Sequence, residues 1–158
     1  MRVAVTGHRD LDAPTTALID AEIRVLLARS PQDIVGVSCL AAGADQIFAR
    51  AVLDLGGRLE VVIPAAGYAA VLDTPAKQGF EELKGRASRI WMLAHRRPGP
   101  VSYLDASLKM LDHVDSLIAV WDGRAARGLG GTAEIVEHAR RRDVAVYIVW
   151  PKGAVHGT

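Results

Sequence analysis

The feature that most constrains this chain is a rhythm: six short runs rich in apolar and β-branched residues alternate with longer stretches of helical period. Parallel strands need long crossover connections, usually helices, so this alternation leads to an α/β fold with a mainly parallel sheet. Strands are expected at Val3–Thr6, Ile34–Ser38, Leu59–Ile63, Arg89–Leu93, Ser116–Trp121 and Val144–Val149. In the fifth, Leu117, Ala119 and Trp121 alternate with Ile118 and Val120, so both faces are apolar, as a central parallel strand requires. Helices are expected at Thr15–Arg29, Ala44–Leu55, Ala76–Ala87, Tyr103–His113 and Thr132–Arg142. In the first of these, Ile19, Ile23, Leu26 and Leu27 recur at helical spacing, and Asp20 precedes Arg24 by one turn. The second ends in Gly56-Gly57, a common helix stop. Arg96-Arg97-Pro98-Gly99-Pro100 reads as a loop. The expected architecture is one doubly wound, mainly parallel sheet of about six strands with helices on both faces. It forms a single domain over 1–150, followed by a tail over 151–158.

The 158 residues are enough for one domain that buries roughly 70% of the surface its unfolded chain exposes. Half of them are hydrophobic, and 19 basic against 18 acidic residues leave a formal charge of +1. That balance lacks the basic excess of a dedicated nucleic-acid binder. The lone Cys39 lies in an apolar run, has no intrachain disulfide partner, and reads as a buried, inert thiol. No run reaches the roughly 18 apolar residues of a membrane span, and the N-terminus enters a strand pattern at once. The expectation is a cytoplasmic protein without signal peptide or membrane anchor.

In an open parallel sheet, ligands bind outside the carboxyl ends of the strands. Three strand ends are unusual, and parallel connectivity sends them to one edge. The fifth strand runs through Val120-Trp121-Asp122-Gly123 into Gly128-Leu129-Gly130-Gly131-Thr132-Ala133-Glu134. Gly130 and Gly131 let backbone N–H groups approach a phosphate, and the helix start adds orphan donors and a positive dipole end. The Thr132 hydroxyl suits either a ligand donor or the helix N-cap. Glu134 would repel a phosphate, so it is better used on a ribose diol or at a glycosidic carbon, or simply complements the dipole. Asp122 and Gly123 follow the strand directly, beside Trp121, which serves either the core or a base.

The first strand ends in Thr6-Gly7-His8-Arg9-Asp10. Gly7 permits a tight turn, while His8 and Arg9 offer donors, Arg9 with the fork that fits a phosphate. Alternatively, Arg9 pairs with Asp10 or Asp12 and His8 caps a helix. The second ends in Ala42-Gly43-Ala44-Asp45, where Gly43 brings backbone close to a ligand. Asp45 meets a ribose hydroxyl, orients the first loop, or simply caps the following helix and complements its dipole.

Other constellations are missing. No Gly-Lys-Ser/Thr follows the glycine turn, and no Gly-x-Gly-x-x-Gly follows the first strand. Histidines 8, 95, 113, 138 and 156 show no metal-ligand spacing with Cys39, which argues against structural zinc. No metal and no cofactor is expected.

Together, Thr6-Gly7-His8-Arg9, Ala42-Gly43-Ala44-Asp45, and Trp121-Asp122-Gly123 with Gly130-Gly131-Thr132-Ala133-Glu134 resemble the SLOG superfamily. This Rossmann-like group includes the cytokinin-activating phosphoribohydrolases and the DNA-processing protein A fold. The resemblance spans most of the chain and implies a nucleotide or nucleotide-derived ligand across these loops, often in a homodimer. The phosphoribohydrolases carry Pro-Gly-Gly-x-Gly-Thr-x-x-Glu. Here Gly131-Thr132 matches, the leading Pro is missing, and position 135 is Ile with Glu134 one residue early. One residue is about 100° of helical rotation, which moves Glu134 off the family's catalytic position.

The first functional reading is therefore a nucleotide-binding domain, a sensor or carrier. The alternative is a hydrolase or transferase at the N-glycosidic bond of a nucleoside monophosphate, phosphoribohydrolase-like or deoxyribosyltransferase-like, with Glu134 or Asp122 as the catalytic carboxylate. A second alternative, single-stranded DNA binding, meets a near-neutral charge and only three Trp, three Tyr and two Phe.

Overall fold

The expected β-rich runs form six strands and the periodic stretches five helices. The computed structural model describes residues 1–29, 33–125 and 131–156. The strands are β1 (Arg2–Gly7), β2 (Val35–Ser38), β3 (Arg58–Ala65), β4 (Arg89–His95), β5 (Ser116–Val120) and β6 (Ala145–Val149). The helices are α1 (Ala13–Ala28), α2 (Ala44–Asp54), α3 (Thr74–Gly85), α4 (Pro100–Leu111) and α5 (Thr132–Arg141). All strand pairs are parallel, in the order β4-β3-β2-β1-β5-β6. The chain steps outward from β1 to β4, then returns through α4 to β5 on the other side of β1. The topological switch point lies between β1 and β5.

Strand alternation sorts the core into layers. Val3, Val5, Ile118 and Val120 pack with Ile19, Ile23 and Leu27 of α1 and Phe48 and Val52 of α2. Ala4, Val37, Val62 and Leu117 face the other way, onto Ala106 and Met110 of α4 and Ile135 and Ala139 of α5. A third cluster joins Leu59, Val61 and Ile63 to Phe80 and Leu83 of α3. Both faces of β5 are covered, as the apolar alternation requires.

Three helices begin earlier than their apolar period suggests, for one reason. Pro14, Pro75 and Pro100 each occupy a first-turn position, where the missing N–H costs nothing and the fixed φ suits a helix. Asp12 and Asp73 cap α1 and α3, accepting the N–H of Thr15 at 2.8 Å and of Ala76 at 2.9 Å. At α4, Ser102 Oγ accepts the N–H of Gly99 at 3.0 Å. Pro100 thus opens a helix rather than closing a loop. Strand β3 also runs past Ile63, carrying Pro64 through a register shift between Ile63 and Ala65.

At the opposite sheet edge, Arg2 of β1 reaches across β2. It donates to Glu60 Oε1 at 2.6 Å and to the His113 carbonyl at 2.6 Å. Among the described residues no helix is long and apolar enough to cross a membrane.

Candidate functional site

The carboxyl ends of β1, β2, β3, β5 and β6 surround a cavity of about 730 Å³. Its position follows from the switch point, where connections leave in opposite directions and open a crevice. Gly7, His8, Arg9, Asp45, Asp122, Gly131 and Thr132 line it, so residues from all three expected loops meet. Gly43, Gly123 and Glu134 are outside its wall. Gly130 lies outside the described residues.

The β1 loop is clamped between its neighbours. The His8 N–H donates to the Val120 carbonyl at 3.1 Å, and the Ala44 N–H to the His8 carbonyl at 3.1 Å. Such close approach demands small residues. A Cβ on Gly43, at φ +76°, would lie 2.6 Å from the carbonyl oxygens of both His8 and Arg9. One on Gly7 would lie 2.6 Å from Val120 Cβ and 2.7 Å from Ala44 Cβ. Gly43 therefore seats one loop on another, rather than facing the cavity itself.

Asp45 stands in the first turn of α2 and is buried, its Oδ2 accepting the Ala41 N–H at 3.2 Å. Burial pushes its carboxyl up to about 6, against the opposing pull of the Arg9 charge and the Ala41 N–H. Its partners identify a carboxylate that organises the β2 loop beside Arg9. The Arg9 guanidinium lies 4.9 Å from the Tyr103 ring centroid. Among the described residues no carboxylate lies within ion-pair distance of it, Asp10 and Asp12 included. Cys39 is buried in the cavity floor, where desolvation pushes its thiol well up and keeps it protonated.

At the β5 end, Asp122 Oδ1 accepts the Arg124 N–H at 3.0 Å, a tight local turn. The Asp122 N–H donates to His8 Nε2 at 3.1 Å, which leaves the His8 ring proton on Nδ1. His156, in the segment after β6, stacks on His8 with centroids 3.6 Å apart and 15° between planes. Its Nδ1 is 3.3 Å from Asp122 Oδ2. Burial, then the neighbouring His156, hold His8 below the usual histidine range against the pull of Asp122. Burial alone would raise the Asp122 carboxyl, but the Arg124 N–H, His8 and His156 outweigh it and hold it low.

At α5, Gly131 takes the N-cap position and Thr132 is the first helical residue; with Ala133 they form a cavity wall. Glu134, with 27% of its side chain exposed, has Oε1 3.9 Å from His138 Nε2.

Several wall residues were not singled out in the sequence. Tyr68 follows β3 and was findable by the same strand-end rule. Tyr103 and Met110 come from α4, and Trp150 and His156 from the last segment. No local pattern marks these, because they arrive by tertiary packing. Residues 151–156 fold back onto the β1 side, where His156 bridges Leu11 and the Val155 N–H donates to Thr15 Oγ1 at 2.9 Å.

No protein-family model matches the chain, and no curated protein matches it in sequence. Solved structures do share its fold. DNA processing protein A from Streptococcus pneumoniae aligns with TM-score 0.69 and 20% identity over 96% of this chain. The chain spans about half the length of that protein, 51% of it. DNA processing protein A from Helicobacter pylori, described for its single-stranded DNA binding mode, aligns with TM-score 0.66 and 16% identity over 99% of this chain and 68% of its own. The molybdenum cofactor binding protein of the phototrophic bacterium Rippkaea orientalis gives 0.55 and 16% over 93% and 74%. At these identities the likeness is one of fold: a Rossmann-like α/β architecture with a six-stranded, all-parallel sheet.

Proposed function

We propose that this chain binds a nucleotide or nucleotide-derived molecule in the cavity at the switch point. One observation carries the reading: Arg9, without an ion-pair carboxylate among the described residues, shares one cavity with the first turn of α5 and with Tyr68 and Tyr103. An anion needs the guanidinium and the backbone donors; a flat, partly apolar group needs the aromatic rings beside them. A cavity of about 730 Å³ has room for both. Asp45 and Asp122 line the same cavity as candidate acceptors for ribose hydroxyls.

The test is a thermal-shift series with nucleoside mono-, di- and triphosphates on the full chain. At a hundredfold excess over Kd, a ligand stabilises by about 2.7 kcal/mol, a shift of several degrees. Arg9→Ala and Gly131→Asp should each abolish most of it. No shift with any phosphorylated ligand sinks the proposal.

A second reading is cleavage or transfer at the N-glycosidic bond, favoured by the placement of Asp122 in the cavity wall. It predicts free base from the best nucleoside monophosphate, lost in Asp122→Asn. Glu134, outside the wall, is the weaker catalytic candidate, and base release lost in Glu134→Gln would reverse that order. Two of the fold neighbours are DNA processing proteins, yet the formal charge of +1 lacks the basic excess of a dedicated nucleic-acid binder. Tight, salt-sensitive retardation of single-stranded oligonucleotides would promote that alternative. Size measurement in solution tests the expected homodimer.

A further inference from the structure

We propose that His8, Asp122 and His156 form a binding site for one divalent transition-metal ion of the zinc type. These three are brought together from the ends of β1 and β5 and from the segment after β6. Among the described residues they are a set of histidine, cysteine and acidic side chains whose ligand atoms all lie within 4.8 Å of one another.

The donor set selects the ion. Two imidazole nitrogens and one carboxylate suit zinc, cobalt or nickel, whereas magnesium and calcium favour all-oxygen shells. The spacing is within a small adjustment of one ion, the three ligand atoms lying within 4.8 Å of one another and each histidine approaching a different oxygen of the same carboxylate. His8 Nε2 lies 3.3 Å from Asp122 Oδ1, and His156 Nδ1 lies 3.3 Å from Asp122 Oδ2. A tetrahedral ion with bonds of about 2.0–2.1 Å holds its ligand atoms roughly 3.3–3.4 Å apart.

Support from the surrounding chain is uneven in a useful way. His8 and Asp122 sit at the ends of adjacent strands β1 and β5, joined by backbone bonds, so one half of the site is rigid. Its Nε2 lone pair already points at Asp122 and would exchange the Asp122 N–H for the ion. His156, with 34% of its side chain exposed, is the partner that must turn out of the stack to share that ion. Three protein ligands leave a fourth position open, and all three residues line the cavity. A water or a phosphate oxygen can complete the shell there. Ion binding does not require a nucleotide, so the two proposals fail separately.

The experiment is a titration of tag-free, full-length protein with Co²⁺ at neutral pH and without nucleotide, following the visible d–d absorption. One ion per chain is expected, with an intensified band displaced by Zn²⁺. His156→Ala, a surface change, should remove the band while circular dichroism stays native; Asp122→Asn should do the same. His95→Ala and His138→Ala, each removing a histidine that faces a carboxylate elsewhere, should leave it intact. Absence of a saturable one-ion signal overturns the site. So does a band that survives His156→Ala or vanishes in His95→Ala.

Discussion

Gly43 and Asp45 are two residues apart and do opposite kinds of work. Gly43 is a spatial requirement, since its backbone angle and the two carbonyl oxygens at 2.6 Å leave no place for a methyl group. Gly43→Ala should lower stability by about 2–4 kcal/mol, combining backbone strain with displacement of the β1 loop. Urea unfolding measures it, and a change within half a kcal/mol would contradict the packing described. Asp45 is an electrostatic cost. Its folded carboxyl titrates at about 6, above the ordinary 3.8, so the folded chain binds the proton more tightly than the unfolded one. Its contribution is therefore fully present below about pH 4 and is lost as pH rises through about 6, up to about 3 kcal/mol in all. Asp45→Asn should flatten that part of the stability profile between about pH 4 and 6. A wild-type and variant pair with the same slope would show that Asp45 titrates normally.

At the scale of elements, the same residue type carried opposite meanings. A proline ends a helix from inside but starts one at its first turn, and only the capping partner tells the two apart. Asp73 two residues before Pro75 was such a partner, and so was Asp12 before Pro14. Replacing Asp73 by Ala should cost about 1 kcal/mol and fray the start of α3, measurable by chemical denaturation. A loss near zero would mean that the Ala76 N–H finds water without penalty. The cores of α1, α2 and β5 were legible from apolar period, because burial on one face or both is a local demand on sequence. The starts of α1, α3 and α4 were less so, because a cap is decided by one hydrogen bond.

Across the whole molecule, the sheet is tied at both edges. At one, Gly7 and Gly43 bring three loops together; at the other, Arg2 links β1 to Glu60 of β3 over the intervening strand. Glu60 is largely buried, so Glu60→Ala leaves a cation without its partner and should cost about 1–3 kcal/mol. Equilibrium unfolding checks this, and Glu60→Gln should recover part of the loss through a neutral hydrogen bond. Equal losses in both variants would assign the effect to packing instead.

The sequence by itself determined the α/β class, the six strands and five helices, and the strand ends at which Gly7, His8, Arg9, Asp45, Asp122, Gly131 and Thr132 come to line one cavity. Each of these is local: periodicity, a glycine after a strand, and the fact that parallel strands end on the same side. Only the tertiary structure decided the order β4-β3-β2-β1-β5-β6, the withdrawal of Gly43, Gly123 and Glu134 from the cavity wall, and the arrival of Tyr103 and His156 within it. Those outcomes depend on which surfaces of distant segments bury one another, and no spacing along the chain encodes the meeting of His8 with His156.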